Sequence, residues 1–417
     1  MGRRSSRPAS GRSGIRDLRG AARLVIDATG GVTDVVESMH HTIARLPVPG
    51  QQRPGGRTTG ITGLVYRSVR GVTRLVGGGI DAVLAVCEPL LAGDAPAPWR
   101  ENAIAAINGV VGDHLEATGN PLAIRMSLRR EGRTLGPGRE AIAQAVPHAG
   151  SHLLVLIHGL CMNDLQWNWK GHDHGVELAR ATGCTTLHVH YNSGRHVSQN
   201  GHDLADALQT LMADWPVPVE RITLLTHSMG GLVARSAIHC AGLAGHDWPR
   251  RVAQLFFLGT PHHGAPLERG GHVIDLALGV SPYSAALARL GQVRSAGITD
   301  LRHGSVLDED WQGRDRFGRH EARPAWLPLP RDLRCYAVAA TTSRQARPAD
   351  SQSPAGAAYA LGDGLVPLRS ALGLHKDPAR CLHLPAERQW VAYGLGHMDL
   401  LGDAAVCERV LRWMQSD

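Results

Sequence analysis

One stretch restricts what this chain can fold into more than any other. Residues 222–235 read ITLLTHSMGGLVAR. An apolar run with β-branched residues is a strand signal, and it stops at His227-Ser228-Met229. Gly230 and Gly231 follow at once, and then a helix-forming stretch begins. A strand that turns this sharply into a helix needs small residues where the two elements touch. It also lifts the residue at the bend clear of the sheet edge. A serine occupies that bend.

The same rhythm recurs from about residue 120. Residues 122–130 alternate Ile124, Met126 and Leu128, as an edge strand does. Residues 152–159, 185–192, 221–227, 252–260 and 333–342 read as strands, with a last one at 389–394. Helices are expected at 199–214 and 230–242, and a closing helix at 400–415. Strands alternating with helices of this length predict a mostly parallel sheet covered on both faces. An apolar fraction of 43% is enough for such a core. With 4% aromatic residues, Leu, Val, Ile and Ala must fill most of it. Residues 265–330 break the rhythm and read as an inserted cap of short helices.

The first 120 residues differ. They carry much of the positive excess in a net charge of +7. Residues 1–14 and 47–60 are rich in Gly, Pro and Arg, while 15–46, 61–92 and 99–117 have helical apolar spacing. A basic arm of this kind is most simply a solvated tail, and no nucleic-acid partner is expected. The helical stretches read as a layer packed on the main domain, or as a surface for peripheral contact with a membrane. The cysteines are seven and scattered singly, without a CxxC pair. They read as reduced thiols of a cytoplasmic protein. No apolar run is long enough for a transmembrane helix, and no signal peptide is expected.

A serine hydroxyl attacks a carbonyl only when a base takes its proton. Thr226-His227-Ser228-Met229-Gly230 fits the pattern G-x-S-x-G with threonine in place of the first glycine. The same residues also fit a serine that merely caps a helix. Three other places bear on the choice. His158-Gly159-Leu160 follows a core strand, so the amides of Leu160 and Met229 can face a developing oxyanion. Asp363 stands in the loop Gly362-Asp363-Gly364, which is also an ordinary turn sequence. His397 lies between the last strand and the closing helix, one of 23 histidines. Each follows an expected strand, at the carboxyl edge where α/β sheets carry their sites.

The motifs LIHGL, THSMGGLVAR, FLGTPHHGAP, GDGLVP and GHMDLL resemble, in that order, the lipase/esterase branch of the α/β-hydrolase superfamily. They are similar to those of bacterial triacylglycerol-lipase-like and GPI-inositol-deacylase-like members. The resemblance covers about residues 150–417. It implies an α/β-hydrolase fold over 121–417, with a cap insertion around 265–330 and a helix-rich extension over 1–120. It implies Ser228 as nucleophile, His397 as base, Asp363 as the acid that orients it, and Leu160 and Met229 as oxyanion amides. His158, Gly159, Leu276 and Leu287 are expected along the substrate, the two leucines as an apolar wall in the lid. No metal and no cofactor are expected. His172 and His174 read as loop and helix-cap residues, Ser198 as a helix cap, and Cys161 as a bystander. The expected reaction is hydrolysis of a carboxylic ester with an apolar acyl chain. Acyl transfer by the same three residues stays open, as does a silent fold that binds lipid or a protein partner.

Overall fold

The run Leu153-Leu154-Val155-Leu156-Ile157 does not alternate, and all five side chains are fully buried. A strand of this kind must be covered on both faces. The computed structural model describes residues 20–24, 27, 98–265, 295–314, 324–344 and 362–416. Among them, eight strands form one sheet: β1 (Ser127–Arg130), β2 (Arg133–Thr134), β3 (His152–Ile157), β4 (Thr185–His190), β5 (Arg221–His227), β6 (Val252–Leu258), β7 (Arg334–Thr341) and β8 (Gln389–Tyr393). Their order is β8-β7-β6-β5-β3-β4-β1-β2. The six strands from β8 to β4 are parallel, and β1 and β2 add an antiparallel edge.

Among the described residues the longer helices are α1 (Pro98–Ala117), α2 (Arg139–Ala145), α3 (His174–Thr182), α4 (Val197–Asp214), α5 (Met229–Ala244), α6 (Ala296–His303) and α7 (Ala404–Gln415), and a short helical turn spans Leu368–Ala371. Leu153, Val155 and Ile157 join a core with Leu204 and Leu208 of α4 and Leu232 of α5. Leu154 and Leu156 join a second core with Leu178 of α3 and Val406 and Val410 of α7. Each such side chain contributes about 1.5–3 kcal/mol by leaving water. The period of two along β3 thus feeds two layers of helices, which is why the run shows no polar alternation.

Several boundaries differ from the sequence expectation for local reasons. The edge strand expected over 122–130 begins only at Ser127. Upstream, the Ile124 amide donates to Asn108 Oδ1 at 2.9 Å, so it is not available to a ladder. The closing helix begins at Ala404 rather than 400. His397–Leu401 is a 3-10 turn, and the Asp403 carboxylate then accepts from the Val406 amide and starts α7. Ser198 does not cap α4 but lies inside its first turn, where its hydroxyl accepts from Trp311 Nε1 at 2.9 Å. Asp173 caps α3 through the Val176 amide.

By contacts the chain falls into two compact units, 1–97 with 115–123 and 98–114 with 124–417. In the first, Asn120 Nδ2 donates to the Gly20 carbonyl at 3.0 Å. The helices expected over 15–46 and 61–92 lie outside the described residues, apart from 20–24 and 27. So does most of the expected cap, including Leu276 and Leu287. In the second unit the Pro98–His114 part of α1 packs on the sheet domain. The Asn192 side chain donates to the Gly112 carbonyl at 2.9 Å, and Ser295 Oγ donates to that of Gly109 at 2.6 Å. No described helix is long and apolar enough to cross a membrane.

Candidate active site

The chain leaves β3 toward β4 on one side of the sheet and leaves β5 toward β6 on the other. The crevice between the carboxyl ends of β3 and β5 is therefore a topological switch point, where open α/β sheets carry their sites. Gly159 and Leu160 follow β3 there, and Ser228 follows β5.

Ser228 has φ 52° and ψ −124°. For a residue with a Cβ this is a strained conformation, costing on the order of 1–3 kcal/mol. Neighbouring backbone holds it. The Ser228 amide donates to the Leu258 carbonyl at 2.9 Å, and the Gly231 amide donates to the Ser228 carbonyl at 3.1 Å. Thr226 is tolerated where the motif has glycine because it is still in the strand. Its backbone pairs with Ile157 and Phe257, and its hydroxyl donates to the Phe256 carbonyl at 2.8 Å.

The glycine after Met229 has no such freedom. A Cβ on Gly230 would stand 2.3 Å from the Ile157 carbonyl oxygen and 2.6 Å from that of His158. The start of α5 can approach β3 only without a side chain. Gly230→Ala is expected to lower stability by about 1–3 kcal/mol. Gly242→Ala, later in the same helix and with nothing within 4 Å of its Cβ, is expected to be neutral or stabilising. Urea unfolding of both variants checks this, and equal losses would disprove the close approach.

His397 and Asp363 meet across two loops. His397 Nδ1 lies 2.7 Å from Asp363 Oδ2, with Asp363 2% and His397 3% exposed. The His397 amide also donates to the Asp363 carbonyl at 3.1 Å. Asp363 Oδ1 accepts from the amides of Leu365 and Val366 at 2.9 and 2.7 Å. One carboxylate thus both makes the turn and fixes the ring. Asp399 is engaged elsewhere, with Lys170 at 2.7 Å and the Gly396 amide at 3.0 Å.

Two residues that sequence reasoning passed over tie these pieces together. His227 Nε2 donates to the His397 carbonyl at 3.1 Å, and the two rings stand 4.7 Å apart. Burial, then the neighbouring His397, holds the His227 pKa well below the usual imidazole value, so it stays neutral. The signal was its place in the motif, directly before the serine. Gly259, at the end of β6 with φ 61°, backs onto the pair. A Cβ there would lie 3.2 Å from His397 Cε1 and 3.3 Å from Asp363 Oδ2.

Gly159 brings the β3 loop to the serine, since a Cβ on it would be 3.0 Å from Ser228 Cβ. Among the described residues, the amides of Leu160 and Met229 make no hydrogen bond. Met229 is the first residue of α5, so its amide has no partner within the helix. Ser228 Oγ makes no hydrogen bond to His397 among the described residues, and such bonds often close only around substrate. His158 is fully buried. Its Nδ1 donates to the Gly159 carbonyl at 2.9 Å, and its ring stacks on Tyr191 at 4.2 Å. Burial pushes its pKa down to about 3. Burial pushes the Cys161 thiol up to about 12, far from a reactive thiolate. The six described cysteines are all free.

Arg195 pairs with Asp203, and His196 bonds Asp300 at 3.0 Å while stacking on Trp311 at 4.0 Å. His172 Nε2 lies 2.9 Å from His174 Nδ1, and His174 Nε2 donates to the Leu400 carbonyl. With Cys407 they bring three ligand atoms within 4.8 Å of one another, but His174 already uses both nitrogens.

Sheet order, switch-point position and the bent serine together decide the architecture. This is an α/β-hydrolase fold. Residues 188–328, about a third of the chain, match the family model of the PGAP1-like alpha/beta domain. That stretch contains Ser228 and ends before Asp363 and His397. No curated protein matches. Among solved structures, the mature lipase BlEst2 of Bacillus licheniformis is similar at 18% identity and a TM-score of 0.39, over 70% of this chain and 97% of that one. The RedJ thioesterase of the prodiginine pathway in Streptomyces coelicolor is 15% identical, with a TM-score of 0.34 over 69% of this chain and 95% of that one. Phospholipase PlaB of Legionella pneumophila is 16% identical, with a TM-score of 0.39 over 64% and 60%. The chain resembles the lipase/esterase branch of the superfamily, and the sheet itself, not these loose overlaps, carries the fold.

Proposed function

We propose that this chain is a serine hydrolase that cleaves carboxylic esters of apolar acyl chains. The observation that carries the reading is the strained Ser228 at the switch point, in the same constellation as the buried His397–Asp363 pair. Ser228 Oγ attacks the ester carbonyl as His397 Nε2 takes its proton. Asp363 holds Nδ1–H and stabilises the imidazolium. The oxyanion is received by the Leu160 and Met229 amides, each worth about 3–4 kcal/mol to the barrier. His397 then returns the proton to the leaving alcohol, and water hydrolyses the acyl-enzyme by the same route. Gly159 lets the loop reach the serine, and His158 steadies that loop from behind.

In this reading residues 121–417 are the catalytic domain, with a lid around 265–330 whose Leu276 and Leu287 wall the acyl chain. Residues 1–120 are a basic, helix-rich extension whose 98–114 part packs on the catalytic domain, with peripheral membrane contact as the second reading. The test is covalent labelling by a fluorophosphonate, followed by a chain-length series of p-nitrophenyl esters. Stoichiometric labelling at Ser228 and a rise of kcat/KM with acyl length are expected. An unlabelled, folded protein would leave a silent binding fold.

A further inference from the structure

Arg235 lies on α5 seven residues beyond Ser228, about 10 Å along the helix axis. There it enters a cavity of about 190 Å³ that includes none of Ser228, Asp363 and His397 in its walls. Among the described residues the lining has two arginines, four histidines and no carboxylate. Its principal walls are Arg235, His262, His263, Trp326, His375 and Arg380.

The hydrogen bonding of these groups is incomplete. Arg235 is 3% exposed. It donates to the Leu327 carbonyl and to His262 Nδ1 at 3.4 Å, and its Nε has no partner. Because His262 Nδ1 accepts, the ring proton sits on Nε2, which also has no partner. Arg380 donates to the Pro324 carbonyl at 3.0 Å and leaves Nε unpartnered. Both guanidinium groups lie over Trp326, at 5.2 and 5.9 Å from the ring centre. Burial lowers the Arg235 pKa to about 10, so it is charged at neutral pH. A buried and a half-buried guanidinium group beside a cavity with no described carboxylate leave positive charge that a bound anion would balance.

The described lining thus presents positive charge and N–H donors with no carboxylate to balance them, which suits a multivalent oxyanion.

We propose that this cavity is a binding site for a phosphate group, held by Arg235, Arg380, His262 and His263. Arginine is suited to that role because its planar fork matches phosphate oxygens. Two covalent connections link the site to the serine crevice. Arg235 shares α5 with Met229, and His262 follows Gly259 by three residues on the loop that backs His397 and Asp363. The phosphate is either a free ion or a group on the ester that the serine cleaves.

The experiment titrates inorganic phosphate into the full chain by calorimetry and follows thermal unfolding, with sodium chloride at matched ionic strength as the control. One phosphate per chain is expected, with a higher midpoint than in the control. Arg380→Gln, at a half-buried position, is expected to weaken phosphate binding by about tenfold or more, as loss of a charged hydrogen bond does. Arg235→Gln is expected to do the same, and a lower midpoint without phosphate does not affect the Arg380 comparison. No binding by the wild type, or equal binding by wild type and Arg380→Gln, overturns the proposal. Kinetics separate the two sources. If Arg380→Gln raises KM for a phosphate-bearing ester and not for a neutral ester of equal acyl length, the phosphate belongs to the substrate. If phosphate binding falls and neither KM changes, the site takes the free ion. The binding measurements need no turnover, so they stand or fall separately from the ester-hydrolase reading and can be repeated in Ser228→Ala.

Discussion

Ser228→Ala is expected to lower ester turnover by about a millionfold, the scale on which triad nucleophiles act. The fold should remain, because alanine keeps the same Cβ at φ 52° and removes only one oxygen. The bonds that hold the bend come from backbone atoms, the Ser228 amide to Leu258 and the Gly231 amide to Ser228. The unfolding midpoint should therefore stay near that of the wild type while fluorophosphonate labelling disappears. Burst-phase release of p-nitrophenol, one equivalent per active site, should vanish with it. Labelling of the alanine protein at an unchanged rate would show that the nucleophile is another residue. Cys161 would be a poor substitute, since its thiol is buried and held at about 12.

His397→Ala is expected to be nearly as damaging, because it removes the imidazole that Asp363 anchors at Nδ1. Asp363→Asn is expected to cost less, up to about ten-thousandfold in kcat. The geometry explains the mechanism of that loss. Asp363 Oδ1 accepts from two backbone amides, so asparagine must place its own oxygen there. Its NH₂ then faces His397 Nδ1 at the position now held by Oδ2. An NH₂ donates to Nδ1 and drives the ring proton to Nε2, the tautomer that cannot accept from serine. KM should change little, since no acyl contact is removed. Single-turnover kinetics on one p-nitrophenyl ester would measure both variants. Full activity in Asp363→Asn would mean that the orienting acid lies elsewhere. Asp399, already paired with Lys170, would have to give up that partner to serve.

The sequence alone determined which layers this chain could build. Uninterrupted apolar runs such as 153–157, bounded by turn residues, fit strands buried on both faces, and the glycines after Ser228 fit a strand that turns directly into a helix. Those patterns are local, set by side-chain period and by the absence of a Cβ, so they can be read without any contact map. The order Ser228, Asp363, His397 along the chain was legible as a motif order, Ser228 and His397 each standing a few residues past a strand. What the sequence could not hold was anything created by long-range approach. The bond between His227 and the His397 carbonyl joins positions 170 residues apart. The double use of Asp363, for its turn and for the ring, could be read only as alternatives in the sequence. The shortening of the edge strand depended on Asn108 capturing the Ile124 amide from another element. The arginine and histidine cavity draws on α5, on the loop after β6 and on residues near 326 and 380, none of which carries a motif for it. Local propensity selects elements. Only packing of the finished sheet decides which polar atoms find partners and which are left without one.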